Sequence, residues 1–135
     1  NYYTHGTQVT AAHGHLAFYG AYVCLNLALF TYALPILRQR DPYNQVLNMA
    51  GFWLMSSGMV FMTFVLTFAG TIQTHLQRVM GMYYMEVQDQ IALFYWMRLG
   101  AGVAVVLGCY LLIYALLIPR REVIEPGSAI THAAE

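Results

Sequence analysis

Two histidines, His13 and His15, stand on either side of Gly14 at the start of an apolar segment. Imidazole is the side chain that proteins use most often as a metal ligand. An α-helix turns by about 100° per residue, so side chains two positions apart point about 200° apart. The pair therefore cannot chelate one metal ion from one side. The spacing predicts two separate metal centres, one on each side of the helix.

The residues around the pair favour haem as the cofactor that contains the metal. Gly14 and Ala17 leave room for a macrocycle edge, and Phe18, Tyr19 and Tyr22 offer flat apolar walls. Ionisable side chains inside a membrane span are costly and usually functional, and imidazole is a common axial ligand of haem iron. Hydrogen bonding to neighbouring helices is the structural alternative. Zinc is disfavoured because no cysteine or carboxylate stands at ligand spacing.

Composition places the histidine pair in a membrane protein. Of the 135 residues, 59% are hydrophobic and 9% are charged, whereas a soluble domain carries roughly 25% charged residues. The formal net charge is zero, so no basic surface suggests a nucleic-acid partner. A very apolar soluble bundle is the alternative class.

Three segments have the roughly 20 apolar residues that a membrane-spanning helix needs. The predicted spans are 9–37, 46–76 and 91–118. They form an all-α transmembrane region, 1–121, surrounded by lipid, with a loop at 78–90. The polar tail, 122–135, is predicted to be disordered. Three spans leave much surface to cover, so further helices are expected.

Charge predicts the orientation of the spans. Arg38 and Arg40 follow the first span, and Arg120 and Arg121 follow the third, so all four lie on one side of a three-span topology. The positive-inside rule makes that side cytoplasmic. The N-terminal end, with the histidine pair, is then predicted to lie on the outer, periplasmic side, and the C-terminal tail in the cytoplasm.

Residues 3–22, which contain the His13-Gly14-His15 motif, resemble the tenth helix of the large subunit of bacterial cytochrome c-dependent nitric oxide reductase. Segments 51–55 and 88–96 also resemble this family, and the resemblance extends from residue 1 to about residue 121. The family belongs to the haem-copper oxidase superfamily. Oxidases of that superfamily share the His-x-His pair but carry other residues around it.

The resemblance implies a role for each histidine. His13 would be the proximal ligand of a high-spin haem b at the catalytic centre, and His15 one of two axial ligands of a low-spin haem b. The family reduces two nitric oxide molecules to nitrous oxide and water in the respiratory chain of denitrification. Its electrons come from a cytochrome c subunit through the two haems. It resides in the cell inner membrane.

The resemblance also implies parts outside this chain. The non-haem iron ligands and the second histidine of the low-spin haem would lie on other helices of the large subunit. The whole would be a haem-copper-oxidase-like bundle of about twelve helices, whose backbone hydrogen bonds are all made within the spans. The chain starts without Met, so we expect it to be the later part of a longer one. The resemblance implies that it is the C-terminal three-helix part, which without the ligands held elsewhere is expected to be unable to catalyse the reaction alone.

Two further residues are candidates for cofactor binding. Arg98 is the only charge within a predicted span, so it should pair with a haem propionate or with a carboxylate of another helix; snorkelling to the interface is the alternative. His5 precedes the haem helix and is expected to bind haem propionates or to line a proton path. Thr7 or Thr10 is expected to cap that helix.

The third span carries two packing signals. Gly100, Ala104 and Gly108 are spaced by four, which predicts close helix packing along this face. The aromatic residues 94–96 open the span and are typical of an anchor at the membrane interface.

Two other functions stay open at this point. One is a haem-copper terminal oxidase, with copper in place of the non-haem iron. The other is a non-catalytic membrane interaction or assembly protein, in which the histidines only bond neighbouring helices. Haem and copper content distinguishes the three.

Overall fold

Three long helices make up most of the chain. The computed structural model describes residues 2–38 and 44–118. Its first, second and third helices are Gln8–Arg38, Gln45–Val79 and Ala92–Leu117, and each is long and apolar enough to cross a membrane. The predicted all-α membrane fold with three spanning helices is thereby confirmed. The predicted tail, 122–135, lies outside the described residues.

A short helix, Tyr84–Gln90, lies between the second and third helices, where the sequence predicts a loop. The second helix also extends through a π-helical turn to Val79. Val87 and Ile91 are fully buried, at 0% exposure. The loop interpretation is therefore wrong for this segment, because these two apolar side chains anchor a helical turn to the bundle despite its polar composition.

The second helix begins at a side-chain cap. The Oδ1 atom of Asn44 accepts hydrogen bonds from the backbone N–H groups of Val46, at 3.1 Å, and Leu47, at 3.3 Å. The first N–H groups of a helix have no partner within the helix, so such a cap defines where the helix starts.

Small residues bring the second and third helices together. A Cβ atom on Gly108 would lie 2.5 Å from the backbone nitrogen of Met55, and one on Gly58 would lie 3.1 Å from the carbonyl oxygen of Ala101. Gly108 thus lies in the interface as its spacing predicts. Gly100 does not: it is exposed, nothing lies within 4 Å of its Cβ position, and the neighbouring Ala101 is buried instead.

The first helix packs on the second over only part of its length. Ala12 and Tyr19 are buried in a core shared with the second and third helices. After a π-helical turn at Tyr19–Val23, the remaining segment, Cys24–Arg38, has no buried residue. A groove of about 670 Å³ separates that segment from the start of the second helix. The first helix is therefore held at its histidine-bearing half and is open at its other half.

Candidate functional site

The two histidines of the first helix lie in different surroundings. His15 is half-buried and lines a groove between the first and third helices, with the second helix also contributing to its wall. His13 is exposed and does not line this groove. Among the described residues, other helices wall the face at His15 and not the face at His13.

The groove beside His15 has a volume of about 750 Å³, within the range of small-molecule and cofactor sites. Apart from His15, its walls come from the second and third helices. They are Met59, Met62, Tyr95, Arg98, Leu99, Gly102, Val103, Val105, Val106 and Leu107. This lining is mainly apolar with a few polar groups, which suits a flat apolar ligand that carries an anionic edge.

The imidazole of His15 is fixed by its own helix. Its Nδ1 atom lies 2.7 Å from the carbonyl oxygen of Ala11. A carbonyl oxygen can only accept a hydrogen bond, so Nδ1 carries the proton in this contact. In the neutral form of this tautomer, the other ring nitrogen, Nε2, carries the lone pair with which an imidazole binds a metal. Metal-ligating histidines commonly donate their second ring nitrogen to a backbone carbonyl in this way, which sets the tautomer and the ring orientation.

Arg98 lies in the same groove as His15 and is half-buried. Within residues 2–38 and 44–118, its guanidinium has no carboxylate partner. A permanent positive charge in an apolar, membrane-spanning surface requires an anionic partner or access to water. The groove therefore holds an imidazole and a cation, and the structure brings these two predicted site residues together.

The His13 face is open. The imidazole of His13 has no hydrogen-bond partner in the part of the chain that the structure describes. Ala17 and Ala21 follow on the same face and are exposed, and a Cβ on Gly14 would have nothing within 4 Å. These small side chains leave room for a large group or another helix to approach the backbone closely.

His5 is not part of either arrangement. It is exposed in the turn before the first helix, and it does not line the His15 groove. The hydroxyls of Thr7 and Thr10 both donate to the carbonyl oxygen of Thr4, at 2.8 and 2.9 Å. Thr7 stands at the N-cap position of the helix, as expected. The expectation of a side-chain cap is wrong, because both hydroxyls are bonded to the preceding turn.

The helix is capped from the second helix instead. The Oε1 atom of Gln73 accepts a hydrogen bond from the backbone N–H of Gln8 at 3.0 Å. The side-chain Nε2 of Gln8 donates to the hydroxyl of Tyr95 at 3.0 Å, and that hydroxyl donates to Oε1 of Gln88. We call Gln8, Gln73, Gln88 and Tyr95 the amide–tyrosine network, and the end of the bundle where it lies the histidine end.

The amide–tyrosine network is not predicted from the sequence. The aromatic run 94–96 predicts that Tyr95 is an anchor at the membrane interface, but Tyr95 is half-buried and bonded to two glutamines. The neighbouring Trp96 is 69% exposed. One signal is present in the sequence: Gln73 is an amide inside an apolar span, where a polar group needs a partner. Which partner it finds depends on how the helices pack.

The described residues contain no group of three or more histidine, cysteine or acidic side chains able to hold a metal ion. Each histidine of the pair can thus offer one ligand to a metal ion whose remaining ligands come from other groups. A macrocycle that supplies four nitrogen ligands itself fits such single-ligand positions.

Residues 1–104 match the sequence model of the family described as Cytochrome C and Quinol oxidase polypeptide I. The chain belongs to this family. A nitric oxide reductase subunit of Stutzerimonas stutzeri is 47% identical over 121 residues, which cover 82% of this chain and 26% of that protein. The chain thus spans about a quarter of the length of the curated relative it matches. Family membership makes it part of a membrane subunit of the haem-copper oxidase type and implies haem and metal cofactors.

Proposed function

We propose that this chain is the haem-ligating part of a membrane nitric oxide reductase, an oxidoreductase that converts two nitric oxide molecules, two electrons and two protons into nitrous oxide and water. The observation that carries the haem assignment is the His15 imidazole, held through Nδ1 in an apolar groove beside Arg98. The 47% identity to a nitric oxide reductase subunit supports this reaction.

His15 is proposed as one axial ligand of a low-spin haem b. The His15 groove fits this group because it is large, mainly apolar and open on one side. The hydrogen bond from Nδ1 to Ala11 keeps the ring in one orientation and raises its basicity as a ligand. The second axial ligand is proposed to come from a helix outside this chain.

His13 is proposed as the proximal ligand of a high-spin haem b, where nitric oxide is reduced. The exposed small residues beside it leave space for a macrocycle. The non-haem iron at that centre would be held by ligands on other helices of the large subunit. Bound haem supplies the redox-active iron; this chain supplies the ligand nitrogen and keeps the two sites on opposite sides of one helix.

Arg98 and His5 are proposed to act on the carboxylates of bound haem. The guanidinium of Arg98 lies in the His15 groove without an internal carboxylate partner in the described residues, so a propionate would neutralise it. His5 is exposed at the histidine end, where its imidazole can reach a propionate or carry a proton. With the histidine end on the periplasmic side of the inner membrane, electrons would arrive from a cytochrome c subunit.

The test is a count of haem, total iron and copper in the intact complex. We expect b-type haem, more iron than haem, and no copper. Copper without surplus iron would instead support a terminal oxidase, a function that the description of the matching family also includes. A complex without haem would overturn the proposal and leave a helical interaction or assembly protein.

A further inference from the structure

The amide–tyrosine network joins all of the helices at the histidine end. Gln8 is the first residue of the first helix, Gln73 lies near the end of the second helix, Gln88 lies on the short helix and Tyr95 on the third. Its three hydrogen bonds therefore fix where the first helix starts relative to the other helices.

The network has a defined relation to the His15 groove. Seven residues separate Gln8 from His15, which is close to two helical turns, so both lie on one face of the first helix. Three residues separate Tyr95 from Arg98, so these two also share a face, and both line the groove. The bond from Gln8 Nε2 to the Tyr95 hydroxyl thus links the two walls on which His15 and Arg98 stand.

The buried amide makes the link specific. Gln73 is 1% exposed, and a buried polar atom without a partner is costly. Its Oε1 is satisfied by the backbone N–H of Gln8, so a shift of the first helix along its axis would break this contact. Close packing supports the same position, because a Cβ on Gly70 would collide with the backbone of Val9.

We propose that Gln8, Gln73 and Tyr95 are positioning residues that set the placement of the His15 imidazole relative to Arg98. The inference rests on the proposed function, since it concerns the haem that His15 would ligate. A network that only fastened helices together would affect stability alone. A positioning network also affects the electronic state of the haem, because axial-ligand orientation and nearby charge tune it.

The test uses the complete, haem-loaded complex with two conservative variants. Tyr95→Phe removes the hydroxyl and keeps the ring. Gln8→Met removes the side-chain amide and keeps the backbone N–H that Gln73 accepts. Tyr110→Phe is the matched control, because Tyr110 is on the same helix, is 68% exposed and has no hydrogen bond among the described residues. The measurements are the EPR g-values and the midpoint potential of the low-spin ferric haem.

We expect Tyr95→Phe and Gln8→Met to retain the haem, to shift the low-spin g-values in the same direction, and to leave the high-spin signal unchanged. The double variant should shift them no further than Tyr95→Phe alone, because Tyr95→Phe already removes the one bond that Gln8→Met breaks. Tyr110→Phe should match the unaltered protein. If Tyr95→Phe does not assemble, Gln8→Met decides the question.

A His15→Ala variant separates failure of this inference from failure of the proposed function. If His15→Ala abolishes the low-spin signal but Gln8→Met leaves g-values and potential unaltered, the positioning role is wrong and the haem assignment stands. If the low-spin signal survives in His15→Ala, the haem assignment is wrong, and the positioning role is wrong with it.

Discussion

His15 and His13 stand two residues apart on one helix, yet they differ in how much of their surroundings this chain provides. His15 lies in a groove with walls from the second and third helices, and its ring is bonded to Ala11. His13 is exposed, beside small residues that nothing in the described chain covers. The chain thus builds much of one proposed haem site but only a ligand for the other.

This difference predicts where a substitution acts. Changes in the second and third helices should affect the site at His15 and spare the site at His13. Changes at His13 should remove a ligand without disturbing the packing around it, because its side chain contributes little to the described core. Each prediction below tests one side of this contrast in the intact complex.

The largest expected effect is that of His13→Ala on turnover. We expect nitric oxide reduction to fall to background, because the high-spin haem loses its proximal ligand, while the low-spin haem keeps its spectrum. A nitric oxide electrode measures the rate. His75→Ala is the control, since His75 is an exposed histidine in the π-helical turn that ends the second helix. Full activity in His13→Ala would contradict its assignment.

Gly108→Ala should disturb the walls of the His15 groove. The added Cβ would lie 2.5 Å from the Met55 backbone nitrogen, and overpacking of this kind costs about 1–3 kcal/mol. We expect a lower apparent Tm and less low-spin haem. Gly100→Ala is the matched control, because its Cβ would have nothing within 4 Å; it should be neutral or slightly stabilising. Equal behaviour of the two variants would show that the interface is placed wrongly.

Arg98→Gln should act on the low-spin haem alone. A nearby cation favours addition of an electron to the haem, so its removal should lower the midpoint potential of that haem. The shift should correspond to a free energy on the order of 1 kcal/mol for a partly exposed charge. Redox titration of the two haems measures this. Arg78→Gln is the control, because Arg78 lies at the end of the second helix over the Tyr2 ring. An unchanged midpoint potential of the low-spin haem would contradict this role and indicate that the Arg98 side chain extends to the membrane interface instead.

The smallest effect is expected for Tyr19→Phe. The Tyr19 hydroxyl lies 2.7 Å from Oγ of Ser56 and joins the first helix to the second, four positions after His15. Its loss should cost about 1 kcal/mol of stability without changing either haem spectrum. Tyr22→Phe serves for comparison, since Tyr22 is 62% exposed and has no hydroxyl contact among the described residues. A spectral change in Tyr19→Phe would extend the positioning role to this bond.

Much of the fold follows from local sequence. Apolar length predicts the three spanning helices, and helical periodicity separates the directions of His13 and His15. The short helix at 84–90 could not be predicted from its polar composition, because the burial of Val87 and Ile91 depends on the helices beside it. The predicted packing face of the third helix holds at Gly108 but fails at Gly100, where Ala101 packs instead. Spacing does not distinguish Gly100 from Ala101 until the partner helix is placed.

The sequence predicts those parts of the site that depend on the type of a single residue. Histidines inside a span, and an arginine with no local partner, are visible in the sequence. The contacts of Gln8 with Gln73 and Tyr95 join residues 65 and 87 positions apart, so no local pattern indicates them. The same holds for the cap of the first helix, which comes from another helix rather than from the adjacent threonines.

The most direct test of the central claim is the EPR spectrum of the oxidised complex carrying His15→Ala, compared with His75→Ala and the unaltered protein. We predict that the low-spin ferric haem signal disappears in His15→Ala alone, while the high-spin haem bound through His13 remains. A low-spin signal that persists in His15→Ala would contradict the claim that the two faces of the first helix hold two separate haems.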